Sequence, residues 1–170
     1  MIHVCPLSRL DETVRRSGAG HLISLTTAGM AVPRPEVIAP ADHLALTMHD
    51  IAEARDGMTA PAQAHVDRLL GFARGWDRRR PVVVHCYAGI SRSPAAAYIL
   101  AAALAPQCCE RDLAETLRRL APSATPNARL VALADERLGR GGRMMAAIAA
   151  IGRGCDAYEG TPFRLAPAEA

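Results

Sequence analysis

Three consecutive β-branched residues, Val82-Val83-Val84, follow Pro81 and read as a buried strand, while residues 95–105 are a run of strong helix formers. Between them stands His85-Cys86-Tyr87-Ala88-Gly89-Ile90-Ser91-Arg92-Ser93-Pro94. The chain must therefore pass from a strand into a helix N-terminus through a loop that carries a cysteine, a glycine and an arginine. Strand, loop and helix in that order form the unit of a parallel sheet covered by helices.

The same alternation runs through the first half. Residues 2–4, 21–25 and 43–48 are short, mostly apolar segments followed by polar or turn-forming residues, and they read as further strands. Residues 10–17 form a helix candidate that stops at Gly18. Residues 61–76 place Ala62, Val66, Leu69, Leu70 and Ala73 at helical spacing. After residue 94 the pattern is wholly helical, over 95–105, 110–120, 127–138 and 144–151, broken by Pro106, Pro122 and Gly139-Arg140-Gly141-Gly142. The expected fold is α/β: a mostly parallel central sheet of four to five strands flanked by helices in three layers, α/β/α. A single domain over 1–152 is followed by a tail over 153–170 with little periodicity, expected to be irregular. At 170 residues the chain can bury a core without staples.

Composition narrows the partners. A net charge of +3 is too mild to mark a nucleic-acid binder, and Arg78-Arg79-Arg80, the densest basic run, reads as a solvated helix end. All 20 basic residues are arginine and alanine fills 34 positions, the bias of a GC-rich bacterial coding sequence. The N-terminus lacks the pattern of a secretory signal, and the apolar stretch over 94–106 is too short to span a bilayer, so neither export nor a membrane partner is expected. Five cysteines, Cys5, Cys86, Cys108, Cys109 and Cys155, are an odd number without zinc-site spacing. A reducing cytoplasm is the expected setting, with no metal and no cofactor.

The chemistry concentrates in the loop. A phosphate monoester is a dianion, and backbone N–H groups converging at a helix N-terminus can hold it without crowding. Gly89 suits a tight or left-handed bend. Arg92 adds a planar fork for two phosphoryl oxygens. The same field favours the thiolate of Cys86, the attacking form. Ser93 is placed either to stabilise the sulfur or to cap the helix ahead of Pro94.

His-Cys-x5-Arg-Ser, here His85-Cys86-Tyr87-Ala88-Gly89-Ile90-Ser91-Arg92-Ser93, resembles the signature of the cysteine-dependent protein tyrosine phosphatase superfamily. Chain length and the central position of the motif resemble its compact dual-specificity branch; the low-molecular-weight tyrosine phosphatases carry Cys-x5-Arg near the N-terminus. The resemblance implies a two-step reaction. Cys86 attacks phosphorus, Arg92 holds the equatorial oxygens, Ser93 eases departure of sulfur, and residues Tyr87, Ala88, Gly89, Ile90 and Ser91 line the substrate site. His85 takes an orienting role beside Cys86, and Asn127, in a Pro-Asn turn, supports the loop or simply caps a helix.

The family's general acid lies on a loop some thirty-odd residues before the cysteine, and Asp42, Asp50 and Asp56 compete for that role. Asp50 follows the best strand ending in the region, whereas Asp42 precedes that strand and Asp56 sits in a turn-like segment. The expected acid is Asp50, on a loop over 49–57, with Asp56 the alternative. The expected substrate is a phosphorylated protein, carrying phosphotyrosine and also phosphoserine or phosphothreonine if the pocket is shallow, or a small phosphate monoester. The loop carries no extra basic residue of the kind that inositol phospholipid phosphatases use. A rhodanese-like sulfurtransferase and a non-catalytic phosphate-binding module are the competing readings. Some family members protect the nucleophile by a disulfide, for which Cys5 is the candidate here, against the simpler reading of a buried inert thiol.

Overall fold

The computed structural model describes residues 1–167. Four parallel strands, β1 (Ile2–Pro6), β2 (His21–Thr26), β3 (His43–Thr47) and β4 (Val82–Cys86), and a short fifth, β5 (Phe163–Leu165), form one sheet in the order β3-β2-β4-β1-β5. Six helices follow in chain order: α1 (Leu10–Ser17), α2 (Gln63–Gly75), α3 (Arg92–Leu104), α4 (Glu110–Leu120), α5 (Ala128–Arg137) and α6 (Arg143–Ile151). This is the expected three-layer α/β/α arrangement.

The strand period of two divides the sheet between two cores. Ile2, Val4, Ile23, Leu25, Leu46, Val82, Val84 and Cys86 face the layer of α2 to α6. Cys5, Leu22 and Val83 face the other way, onto Leu10 and Val14 of α1. Helix α3 is buried along nearly its whole length, and Ala95, Ala96, Ala97, Ala101 and Ala102 allow neighbouring elements to approach it closely. The Met144 and Ile148 stripe of α6 is core. No helix among the described residues is long and apolar enough to cross a membrane.

Two expectations are corrected. The tail is not irregular throughout: Phe163–Leu165 pairs antiparallel with β1, setting Val4 opposite Phe163 and Ile2 opposite Leu165. An exposed edge of β1 supplies unpaired backbone groups, and so recruits a segment with no strand-like periodicity of its own. Residues 168–170 of that tail lie outside the described residues. The arginine triplet is exposed, as expected, but lies beyond the helix, because α2 stops at Gly75, and Arg80 reaches back to donate to the carbonyls of Gly18 and Ala19, at 2.9 Å for Ala19.

Candidate active site

Strand β4 ends at Cys86 and α3 begins at Arg92, so the loop between them sits at the carboxyl end of the sheet. Its carbonyls are engaged from outside. Tyr87 O accepts from the N–H of Leu7 at 2.9 Å, Ala88 O from Gly160 at 2.8 Å, Ile90 O from Thr125 at 2.8 Å, and Ser91 O from Asn127 at 3.3 Å. In a trans peptide C=O and N–H point to opposite edges. The N–H groups of Ala88, Gly89, Ser91 and Arg92 are thereby turned into the loop, and the Gly89 N–H donates to Cys86 Sγ at 3.3 Å. Gly89 lies in the left-handed region with φ 72°, and a Cβ there would come within 2.7 Å of the Pro6 nitrogen.

Cys86 is buried, and its sulfur lies 3.2 Å from Ser93 Oγ. The residue that precedes α3 is Ser91, with Arg92 and Ser93 already in the helix. Ser93 is therefore a partner of the sulfur and not a cap; Pro94 still falls in the first turn, where a missing N–H costs no helical bond. The loop's N–H groups and the α3 N-terminus together favour negative charge at this point.

Arg92 is buried, and two contacts anchor one arm of its guanidinium: Nη1 donates to Met48 O at 2.8 Å and to Thr27 Oγ1 at 3.3 Å. Its Nε is buried and makes no hydrogen bond among the described residues. That edge of the fork faces the Asp50 carboxylate, with Oδ2 at 3.9 Å. Thr27 and Met48 escaped the sequence reading because nothing in their type marks an arginine support.

Asp50 stands beyond the end of β3, as its strand position implied. Its Oδ1 accepts from the Ser91 hydroxyl at 2.7 Å and from Asn127 Nδ2 at 2.8 Å. Asp56 is exposed, in the 49–57 segment, and its side chain makes no hydrogen bond or ion pair to the loop among the described residues. Asn127 caps α5, its Oδ1 accepting from the Leu130 N–H at 3.0 Å, while its amide reaches Asp50. Ser91 spends its hydroxyl on Asp50, while Tyr87 projects into solvent, 54% exposed, at the rim.

His85 lies on the α1 face of the sheet, fully buried. Its Nε2 is 2.7 Å from Ser24 Oγ, which is 2.9 Å from His43 Nε2, and its Nδ1 is 3.4 Å from Cys86 O. A carbonyl only accepts, so Nδ1 carries the proton, Nε2 accepts from Ser24, and Ser24 accepts from His43. Burial, with the charges of His43 and Arg92 adding to it, pushes the His85 imidazole down from 6.5 to about 4, against the opposing Cys86 carbonyl. His85 is thus a neutral strut that fixes the backbone at Cys86.

Cys5, the candidate disulfide partner, pairs in register with His85 on the neighbouring strand. It is a free, buried thiol pushed up to about 12 by burial, and it stays protonated. Arg118 does not face the loop: its guanidinium donates to the carbonyls of Pro122, Ala124, Ile151 and Gly152, binding α4, the 122–124 turn and the end of α6 together.

No family model matches the sequence, and no curated protein matches it. Solved structures do match its fold. DUSP15 superposes with a TM-score of 0.64 at 19% identity, over 88% of this chain and 89% of its own. A PTP-2 phosphatase of Cydia pomonella gives 0.62 at 20% identity, over 79% and 84%. PTPMT1 in complex with PI(5)P gives 0.59 at 14% identity, over 88% and 93%. Strand order, helix layers and the strand-loop-helix unit that carries Cys86 and Arg92 therefore compose the fold of the cysteine-dependent tyrosine and dual-specificity phosphatases.

Proposed function

We propose that this protein is a cysteine-dependent phosphatase that hydrolyses phosphate monoesters through a phosphocysteine. The observation that carries the reading is the convergence on Cys86 Sγ of the Gly89 N–H and the Ser93 hydroxyl, with the Arg92 Nε, free of hydrogen bonds, beside the Asp50 carboxyl that reaches over from the end of β3.

In the first step the sulfur attacks phosphorus as the bond to the leaving oxygen breaks. Arg92 and the inward N–H groups hold the other phosphoryl oxygens, and their charge stabilisation grows as the transition state forms. Asp50 gives its proton to the departing alkoxide. Water then attacks phosphorus, Asp50 takes the proton from it, and the S–P bond breaks to return a thiolate on which Ser93 donates. The Ser91 hydroxyl and the Asn127 amide hold Asp50 over the loop for both transfers.

The substrate class that fits is a phosphoprotein. Tyr87, Ala88, Ile90 and Ser91 bring no basic side chain to select a polyanionic headgroup, although a neighbour in fold was solved with PI(5)P. The test is turnover of p-nitrophenyl phosphate, matched phosphopeptides and a soluble phosphoinositide by the wild type beside Cys86→Ser. Hydrolysis of the first two that vanishes in the variant supports the reading. A wild type without turnover on any substrate, or a fully active Cys86→Ser, ends it. Dominant activity on the phosphoinositide would move the substrate class to lipid.

A further inference from the structure

After α6 the chain turns back and passes the Cys86 loop on two sides before it reaches β5. The Gly154 N–H donates to Thr125 Oγ1 at 3.0 Å, next to the Thr125 N–H that holds Ile90 O. Farther on, Glu159 Oε2 accepts from Ser8 Oγ at 2.7 Å and the Gly160 N–H donates to Ala88 O at 2.8 Å. Pairing of Phe163–Leu165 with β1 then closes the segment.

The Ala88–Gly89 peptide unit is where this segment meets the chemistry. Its C=O is taken by Gly160, and its N–H, on the opposite edge of the same plane, is the one that donates to Cys86 Sγ. Gly89 at φ 72° has the freedom to let that plane rotate, so an outside bond must hold it. Gly160 itself has no left-handed φ to explain its identity. It is a glycine for contact: a Cβ there would stand 2.8 Å from Gly89 O and 3.3 Å from Gly89 C.

We infer that Gly160 is a positioning residue for the nucleophile, its N–H locking the Ala88–Gly89 amide so that the amide keeps facing the sulfur. The inference rests on the reading of Cys86 as the nucleophile. It gives the segment over 154–160 a task beyond completing the sheet.

The experiment is iodoacetamide alkylation of Cys86 in the full chain, followed by peptide mass spectrometry from pH 5.5 to 9. In Gly160→Ala the added methyl group strikes the Gly89 carbonyl, so the two segments move apart and the bond from residue 160 to Ala88 O is lost; alkylation at pH 6 falls about fivefold or more relative to wild type, the loss expected from one weakened bond to the sulfur. At pH 9 the two rates agree within about twofold. A merely structural role would instead raise the alkylation of Cys86 and of buried Cys5 together at every pH. That outcome, or a wild-type profile in folded Gly160→Ala, overturns the inference. If Gly160→Ala does not fold, Glu159→Ala cuts the Ser8 tether without adding bulk: a shift in the same direction supports the inference and an unchanged profile refutes it. A wild type that fails on p-nitrophenyl phosphate sinks the phosphatase reading while leaving this comparison intact.

Discussion

Protonation of His85 should be one of the main routes by which acid weakens this fold, and its size can be worked from the site. The imidazole is buried between Ser24 and the Cys86 carbonyl and is held at about 4, against 6.5 when exposed. The unfolded chain therefore binds the proton more readily than the folded one across that window. Stability contributed by the neutral ring is present above 6.5 and is lost as pH falls toward 4. The full difference is about 3 kcal/mol, of which about 2 kcal/mol is already lost at pH 5. His3, His43 and His65 are also lowered by burial and drain stability in the same direction, so the wild-type slope alone does not isolate His85. Comparison with His85→Gln does, because the amide keeps a neutral partner for Ser24 and cannot titrate. Urea unfolding at pH 7.5 and pH 5 should show the wild type losing about 2 kcal/mol more than the variant between the two conditions. Equal losses in both proteins would refute the neutral, buried strut and the hydrogen-bond direction built on it.

Other expectations follow from single contacts. Asn127→Ala removes the α5 cap and one of the two donors on Asp50; it should cost about 1 kcal/mol in urea unfolding and slow hydrolysis of esters with poor leaving groups more than that of p-nitrophenyl phosphate. Gly89→Ala forces a methyl group onto the backbone of Pro6 in a left-handed conformation, so kcat on p-nitrophenyl phosphate should fall by about tenfold or more, beside about 1 to 2 kcal/mol of conformational cost in unfolding. Arg118→Ala leaves four carbonyls without their shared donor and should destabilise by about 2 to 3 kcal/mol, with KM on p-nitrophenyl phosphate unchanged in the folded protein.

The strand-loop-helix unit around Cys86 was legible because its signals are local. β-Branched residues, a glycine needing positive φ and an alanine-rich helix act over a few residues. Asp50 was legible as a residue just past the carboxyl end of a strand, but that strand was expected to run beside the Cys86 strand, and β2 lies between them, so Asp50 reaches the loop across one strand. Pairing of β2 with both β3 and β4 brings these ends together. The part played by Ser91 was not visible: its place in the loop marked it as substrate lining, and only the position of Asp50 shows where its hydroxyl goes.

By itself, then, the sequence determined the alternation of strands and helices, the cysteine and arginine of the loop, and the place of Asp50 at a strand end. Tertiary structure decided which donors hold that loop in shape: Leu7, Thr125, Asn127 and Gly160, each far from it in the chain. It also decided that Phe163–Leu165 is a strand and that Thr27 and Met48 brace Arg92. The physical reason is that all but one of these contacts use backbone groups. Nearly every residue carries the same N–H and C=O, so residue type says nothing about which of them will meet.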